Sequence, residues 1–302
     1  MSLQVRSFRD GASASDKKRD EGLTTPEDII RCDNLFYAPD GIEEHKMDIY
    51  YPKGTNIPLP VIVSIHGGGW VYGSKEVYQF YCMSLAQRGF TVVNFNYRLA
   101  PESKYPAPLK DICQLFFWIG KHKEAYNIDD NAIYIVGDSA GAQLASQFAV
   151  MVTNPEYRKL FSFPVPEITI RALALNCGVY DIKRNLVSTK GNAVGLGREY
   201  FPKLTKNVLR QLKVLNYITE AFPPTFVMGS VNDPVSTGNA SDIIRKLKEN
   251  KIPFEESWYG QGNEAVQHVF HCNIRLPEAV RCNDQECGFF RKYSPPASYV
   301  TT

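Results

Sequence analysis

The sequence predicts an α/β fold with an eight-stranded, mostly parallel sheet that carries helices on both faces. Three observations lead to this prediction. Short, almost continuously apolar runs recur along the 302 residues, as in strands that are covered on both faces. Helical patterns separate these runs, and such alternation implies parallel strands joined by right-handed crossovers. The chain is 44% hydrophobic, which is enough for one large domain.

The first two strands are predicted to form a hairpin. Residues 35–37 and 47–51 flank Pro39-Asp40-Gly41, and the second of these runs alternates between apolar and more polar side chains. Further apolar runs predict strands at 61–65, 91–95, 132–136, 172–175 and 225–228, and a last strand is expected at 254–259. Helices are expected at 74–88, 106–121, 140–152, 206–220, 241–250 and 277–293.

Two segments depart from this alternation. Residues 1–22 are polar and rich in charge, without the apolar stretch of a signal peptide, so we expect a flexible N-terminal segment before a single domain at 23–302. Between Asp181 and Pro223 lie some forty residues without a strand signal. We interpret about 182–222 as a small helical cap inserted into the domain. The alternative is an ordinary crossover helix with long loops.

Charge and cysteine content disfavour several classes of protein. The 34 Lys and Arg residues against 32 Asp and Glu leave a net charge of +2, which gives no reason to expect binding to nucleic acid or to an acidic membrane surface. No run approaches the ~18 apolar residues of a membrane span. The seven cysteines are odd in number, and with no export signal they indicate reduced thiols in the cytoplasm.

A zinc site is the alternative use of some of these cysteines. The candidate ligands close together in sequence are His268, His271, Cys272, Cys282 and Cys287. Structural zinc sites usually contain a closely spaced Cys-x-x-Cys pair, which this chain lacks. We therefore expect no metal.

Ser139 is the first candidate catalytic residue. It lies in the run Gly137-Asp138-Ser139-Ala140-Gly141, directly after a predicted buried strand and before a helix that is apolar on most faces. The chain must reverse within a few residues, and the two glycines leave room for the strand and the helix to approach. Such a turn presents the serine hydroxyl over a helix N-terminus, where developing negative charge is favoured. The pattern predicts a nucleophile for acyl transfer.

A second glycine-rich run follows the strand predicted at 61–65: His66-Gly67-Gly68-Gly69-Trp70. Successive glycines can turn backbone N–H groups into a cleft. With the amide of Ala140, the amides of Gly68 and Gly69 are predicted to form an oxyanion hole. His66 is expected to orient this loop. A phosphate-binding loop is disfavoured because the P-loop Lys-Ser/Thr is missing.

A serine nucleophile needs a base, and two histidines are placed to supply one. His268 and His271 lie in the loop after the last predicted strand, which can reach the C-terminal edge of the sheet. His45 and His122 are expected to be solvated, since one precedes an edge strand and the other ends a charged helix. The residues alone do not show which of the two, His268 or His271, is the base.

The base also needs an acid to orient it. Asp233 and Asp181 each follow a predicted strand at the same edge of the sheet. Either of them preserves the chain order serine, acid, histidine that is typical of hydrolases with a serine on such a turn. The pattern leaves this choice open as well.

The two glycine-rich runs together resemble the hormone-sensitive-lipase-like branch of the α/β-hydrolases, which includes many bacterial carboxylesterases. Three further segments are similar to motifs of that family: Tyr97-Arg98-Leu99-Ala100-Pro101-Glu102, Asp233-Pro234-Val235 and His268-Val269-Phe270. The resemblance spans roughly residues 45–275 and implies the α/β-hydrolase fold. Its last two motifs imply Asp233 as the acid and His268 as the base.

The resemblance implies a serine carboxylesterase that hydrolyses small-molecule esters with short to medium acyl chains, without a cofactor. Ser139 would attack the ester carbonyl, His268 would move the proton, and Asp233 would hold the imidazole. Trp70 and Tyr72 are candidates for shaping the substrate pocket, although a place in the core is an equal alternative for each.

Two other functions stay open at this point. A carbohydrate esterase, removing acetyl or feruloyl groups from plant-derived oligosaccharides, would use the same mechanism and the same motifs. The other alternative is a non-catalytic small-molecule binding protein on the same fold. The plant gibberellin receptor is such a protein and has lost the catalytic histidine, so the presence of His268 argues against this role. A homodimer is a possible assembly.

Overall fold

The computed structural model describes residues 1–180 and 195–295 of the chain. Its strands are β1 (Ile29–Phe36), β2 (Lys46–Pro52), β3 (Leu59–Ile65), β4 (Thr91–Phe95), β5 (Ile128–Asp138), β6 (Ile170–Asn176), β7 (Thr225–Ser230) and β8 (Phe254–Tyr259). They form one sheet in the order β1-β2-β4-β3-β5-β6-β7-β8. β2 pairs antiparallel with β1 and with β4, and the other neighbours are parallel. The predicted eight-stranded, mostly parallel sheet is confirmed.

The helices lie between and around these strands. They are α1 (Leu3–Asp20), α2 (Lys75–Ala86), α3 (Ala107–His122), α4 (Ala140–Thr153), α5 (Pro155–Arg158), α6 (Leu196–Tyr200), α7 (Lys206–Gln211), α8 (Pro234–Glu249) and α9 (Pro277–Lys292). α8 begins at Pro234 instead of the predicted residue 241. The reason is that Asp233 caps it, accepting hydrogen bonds from the amides of Val235 and Ser236, with a proline in the first turn.

Alternate side chains of the central strands enter two separate cores. In β3, Val61 and Val63 pack in the core that includes residues of α3, α4 and α8. Ile62 points the other way, into the core that includes residues of α2 and α9. All three side chains are fully buried. This alternation follows from the pleat of a strand, and it requires the helices that were predicted on both faces of the sheet.

The parallel strands place several loops at one edge of the sheet. β3, β5, β6, β7 and β8 run in the same direction, so their carboxyl ends lie side by side. The loops that leave these ends carry the residues singled out in the sequence: the glycine-rich run, Ser139, Asp233 and His268. In open α/β sheets this edge is where ligands bind.

The prediction of a flexible segment at residues 1–22 was wrong, because α1 occupies most of it. Ser2 caps the helix by accepting a hydrogen bond from the Val5 amide, and Val5 is fully buried. The Arg9 guanidinium donates to the carbonyls of Val71 and Ala100, at 2.7 and 2.8 Å. A docked helix needs only one apolar side and a few anchoring polar contacts, so its composition stays polar.

The connection between β6 and β7 is irregular where it is described. Residues 181–194, with Asp181 and the first part of the cap predicted at 182–222, lie outside the described residues. The single helix predicted at 206–220 is wrong: α7 stops at Gln211, and a 3₁₀ turn follows at Val214–Tyr217. The Gln211 carbonyl instead accepts hydrogen bonds from the side chains of Gln147 and Tyr157.

Across residues 1–180 and 195–295, no helix has both the length and the apolar character needed to cross a bilayer.

Candidate active site

Ser139 occupies a strained turn between β5 and α4. Its φ of 52° lies in the left-handed region, which residues other than glycine seldom adopt. A Cβ atom on Gly141 would lie 2.0 Å from the Ile65 carbonyl oxygen, and one on Gly137 would lie 2.5 Å from the Gly141 oxygen. Only glycine fits at these two positions. The turn therefore holds Ser139 half-buried at the N-terminus of α4, as the sequence predicted.

The glycine-rich loop after β3 contains the two glycines whose amides were predicted to form the oxyanion hole. Gly68 and Gly69 have φ angles of 104° and 61°. A Cβ atom on Gly68 would lie 2.1 Å from the Tyr72 carbonyl oxygen, so a side chain cannot be accommodated there. Within the described ranges, the amides of Gly68, Gly69 and Ala140 have no hydrogen-bond acceptor in the protein. They are available to an oxyanion.

Ser139, His268 and Asp233 form a continuous hydrogen-bonded chain. His268 Nε2 lies 3.0 Å from Ser139 Oγ, and His268 Nδ1 lies 2.7 Å from Asp233 Oδ2. The first distance suits proton transfer from the hydroxyl to the imidazole. The second fixes the tautomer that leaves Nε2 free to accept that proton. Three segments that are remote in the chain are thus brought into one line.

Asp233 is held in place by the first turn of α8. Its carboxylate accepts hydrogen bonds from the amides of Val235, at 2.9 Å, and Ser236, at 3.1 Å, and from the Ser236 hydroxyl. Burial opposes ionisation, but the hydrogen bond from His268 and those from this turn hold the pKa of Asp233 below its usual value. The side chain is therefore ionised at neutral pH. The role of Ser236 carries no motif in the sequence and was not predicted.

The environment of His268 favours a proton on the ring. Burial alone would lower its pKa, but the hydrogen bond to Asp233, with a further contribution from the adjacent Cys177, raises the pKa above its usual 6.5. A raised pKa makes the imidazole a stronger base once it has lost its proton.

His271 and His66 take other positions. His271 is fully buried, and burial lowers its pKa to about 3. Burial likewise lowers the pKa of His66 to about 4. The His66 ring stacks on Tyr97 at 4.1 Å between centroids, and its Nδ1 lies 2.8 Å from the Gly67 carbonyl oxygen. The expected orienting place of His66 in the glycine-rich loop agrees with these contacts.

His45 is not solvated, contrary to expectation. Its side chain is 1% exposed, with Nδ1 2.9 Å from Asp40 and Nε2 3.2 Å from the buried carboxylate of Asp111. Desolvation opposes a charge on the buried imidazole, but the two carboxylates outweigh this effect and raise the pKa of His45. His122 is exposed, as expected.

One tyrosine joins the serine turn to the glycine-rich loop. The Tyr78 hydroxyl accepts a hydrogen bond from the Gly67 amide, at 3.0 Å, and donates one to Asp138 Oδ2, at 2.8 Å. Gly67 precedes Gly68, and Asp138 precedes Ser139. Burial raises the pKa of Asp138 to about 7. Tyr78 lies on α2 without a recognisable motif, and the sequence analysis missed it.

Trp70 and Tyr72, the aromatic candidates for the substrate pocket, contact different parts of the protein. Trp70 is 5% exposed, stacks on Tyr200 at 5.3 Å between centroids, and donates from Nε1 to Gln143. Trp70 thus lies in the core, which was the alternative reading. The Tyr72 hydroxyl donates to Asp16 of α1, at 2.8 Å, and Phe201 packs on Trp70.

Two apolar side chains that the sequence did not suggest lie over Gly69. A Cβ atom on Gly69 would lie 2.8 Å from Leu196 Cδ1 and 3.9 Å from Phe8 Cε1. Leu196 belongs to α6 and Phe8 to α1. Gly69 is therefore bordered by the N-terminal helix and by the β6–β7 connection.

The cysteine and histidine residues near the C-terminus do not assemble into the zinc site considered from the sequence. In the described part of the chain, one group of three metal-binding side chains has all its ligand atoms within 4.8 Å of one another: Cys177, Asp233 and His268. The thiols of Cys272, Cys282 and Cys287 are buried elsewhere.

Known proteins match the chain over most of its length. A family model described as BD-FAE covers residues 47–247. The versiconal hemiacetal acetate esterase of Dothistroma septosporum is 38% identical over 258 residues, which are 82% of this chain and 77% of that protein. The esterase LipQ of Mycobacterium tuberculosis is 27% identical over 216 residues, or 67% of this chain and 49% of that protein.

Solved structures share the fold. Esterase B from Lactobacillus rhamnosis superposes with a TM-score of 0.88, at 24% identity, over 96% of this chain and 94% of that one. The same enzyme has been solved with a tributyrin phosphonate inhibitor, with a TM-score of 0.86 to this chain. These likenesses confirm the α/β-hydrolase fold.

Proposed function

We propose that this chain, which belongs to the BD-FAE family and is a serine carboxylesterase, cleaves its esters through an acyl-enzyme formed on Ser139. The resemblance to hormone-sensitive-lipase-like esterases that was drawn from the motifs is confirmed by these relatives. Neither the carbohydrate esterase nor the binding protein on this fold gains support from them. The assignment of roles to individual residues is our proposal.

The observation that carries these roles is the line of hydrogen bonds from Ser139 through His268 to Asp233. With Nε2 at 3.0 Å from Oγ, His268 takes the hydroxyl proton as Ser139 attacks the carbonyl carbon. Asp233 stabilises the imidazolium that results. His268 then returns the proton to the leaving alcohol. In the second half of the reaction, a water molecule attacks the acyl-enzyme with His268 as its base, and the acid leaves while Ser139 regains its proton.

The oxyanion is assigned to the amides of Gly68, Gly69 and Ala140. Support comes from their lack of acceptors among the described residues and from their place beside Ser139. Each such donor is typically worth ~10²–10³ in rate, because it is preorganised for charge that develops only in the transition state. The Tyr78 bridge between Gly67 and Asp138 keeps the two donor segments in register.

We propose short acyl chains, from acetate to butyrate, as the preferred acids. The relative from Dothistroma is named as an acetate esterase, and esterase B was crystallised with a tributyrin analogue. In this chain, Phe8 and Leu196 lie close over Gly69 and narrow the space beside the oxyanion site. We retain Tyr72 as a candidate for the pocket wall. We also retain residues 182–222 as a cap, because Leu196, which belongs to this range, lies over Gly69.

A panel of p-nitrophenyl esters tests this proposal. kcat/KM should be highest between acetate and butyrate and should fall by an order of magnitude or more at decanoate. Release of acetate or ferulate from oligosaccharides, at rates above those for the simple esters, would point to the carbohydrate esterase instead. Reaction with a phosphonate should label Ser139, and binding of esters without turnover or labelling would contradict an enzyme.

The cytoplasmic location of the protein and its assembly into a homodimer stay predictions. A reducing cytoplasm is supported by seven cysteines that are all free thiols. Light scattering after size exclusion would test the homodimer.

A further inference from the structure

We propose that Cys177, Asp233 and His268 form an inhibitory binding site for zinc. This inference concerns the regulation of the same site and rests on the proposed function, since two of the three ligands are the proposed base and its acid. Zinc held there switches the esterase off, and removal of the ion restores it.

The three ligands come from separate elements of the sheet edge. Cys177 follows β6, Asp233 precedes α8, and His268 lies in the loop after β8. Their ligand atoms all lie within 4.8 Å of one another. Among the described residues, the Cys177 thiol lies 3.9 Å from the Met228 thioether, a weak partner, and it also interacts with the His268 side chain. The thiol therefore stands beside the imidazole and carboxylate as a third donor.

The spacing of these atoms is close to that of a zinc site. Bonds of ~2.0–2.3 Å to sulfur, nitrogen and oxygen place the ligands of a tetrahedral zinc ion about 3.5 Å apart. The His268–Asp233 contact of 2.7 Å has to open by about 0.8 Å, and the Cys177 contacts, which are at most 4.8 Å, have to close by at most about 1.3 Å.

The donor set selects the kind of cation. A thiolate, an imidazole and a carboxylate suit zinc and softer divalent ions, whereas magnesium and calcium prefer oxygen ligands alone. Three protein ligands with a free fourth position are the arrangement of an accessible zinc site. Of the three ligands, His268 is the one open to solvent: its side chain is 35% exposed, that of Asp233 is 1% exposed, and Cys177 is fully buried.

Zinc at this position is incompatible with the proposed mechanism. His268 uses Nδ1 to bind Asp233 and Nε2 to accept the Ser139 proton. Coordination of either nitrogen removes one of these two functions. The thiol proton and any proton on the coordinating nitrogen leave to solvent, since metal ligands bind in their deprotonated form.

The test uses the full-length protein, chelator-buffered zinc and two separate readouts. The first is the zinc inhibition constant for p-nitrophenyl butyrate, expressed relative to the metal-free rate of each variant. The second is zinc binding by calorimetry, with cobalt added separately to detect thiolate-to-metal absorption. We expect reversible inhibition, no inhibition by magnesium, and an inhibition constant at least ~10-fold weaker in Cys177→Ala and Cys177→Ser.

Matched variants make the outcome decisive. Cys272→Ser, which alters a buried thiol outside the group, should keep the zinc sensitivity of the wild type, and Ser139→Ala should still bind zinc. Zinc sensitivity that is unchanged in both Cys177 variants, or absence of zinc binding to the wild type, would overturn the site. Ester hydrolysis by Ser139→Ala would instead contradict the proposed function, and calorimetry would still judge the zinc site by itself. Thermal melts identify variants that fail to fold.

Discussion

His268 and Ser139 are 129 positions apart in the chain, yet Nε2 of one lies 3.0 Å from Oγ of the other. The contact exists because β5 and β8 belong to one block of parallel strands, whose carboxyl ends meet at a single edge. Each residue sits in a segment that only folding brings to that edge.

Replacement of the serine tests the nucleophile. Ser139→Ala should lower kcat by ~10⁴-fold or more, because the remaining oxyanion amides cannot replace a covalent step. The fold should persist, with an unchanged circular dichroism spectrum. Ser146→Ala is the matched control: its hydroxyl lies on the same helix, α4, and donates to the Gln143 carbonyl. Activity that survives in Ser139→Ala would refute the assignment.

The pH dependence tests the base. Because the pKa of His268 is raised, mainly by Asp233 against the effect of burial, kcat/KM should rise with pH and reach half its maximum above pH 6.5. Protonated imidazole cannot accept the serine proton, so the loss occurs on the acid side. In Asp233→Asn the midpoint should move to lower pH while the maximal rate falls. A wild-type profile that is flat between pH 5 and 9 would exclude His268.

Separate mutation of the two histidines tests the choice between them. His268→Ala should lose at least ~10³-fold in kcat, as expected when a general base is removed. His271→Gln should retain turnover in the fraction that folds, because His271 is buried and its pKa of about 3 keeps it neutral. The cost of that change should appear as a lower Tm. The reverse pattern of activities would make His271 the base.

The glycine-rich loop can be tested with a control for backbone strain. Gly68→Ala should lower kcat by ~10²–10³-fold with little change in KM, since its Cβ would lie 2.1 Å from the Tyr72 oxygen and displace the amides. Gly89→Ala is the control. Gly89 also has a positive φ, of 87°, but open space around its Cβ. It should lose about 1 kcal/mol of stability and keep its activity. Equal activities in the two variants would contradict the oxyanion role.

Much of this protein could be predicted from local sequence. Buried strands have almost continuous apolar runs, because each face of a central strand packs against helices, and this pattern placed β3 to β7. The hairpin signal placed β2 but reached only the end of β1. Gly137 and Gly141 are dictated by a close approach that a Cβ would prevent, so the turn at Ser139 was visible in the sequence. Both inferences use interactions between neighbours in the chain.

The polar composition of a segment gave wrong predictions where its stabilising contacts are to residues far away in the sequence. α1 exposes most of its surface, and its anchors, such as Arg9 to the carbonyl of Val71, pair residues that no periodicity connects. His45 likewise reads as a surface residue until Asp111 is found beside it. A buried charge is tolerated only with a partner, and the partner is chosen by the fold.

By itself, the sequence determined the sheet, the serine turn and the glycine-rich loop, since each is set by local backbone geometry and by apolar burial. The family resemblance implied His268 and Asp233, but only the tertiary structure decided that they stand in line with Ser139 and that Tyr78, Ser236 and Cys177 border them. Hydrogen bonds of about 3 Å between remote segments depend on how loops leave a common sheet edge, and no local pattern encodes those distances.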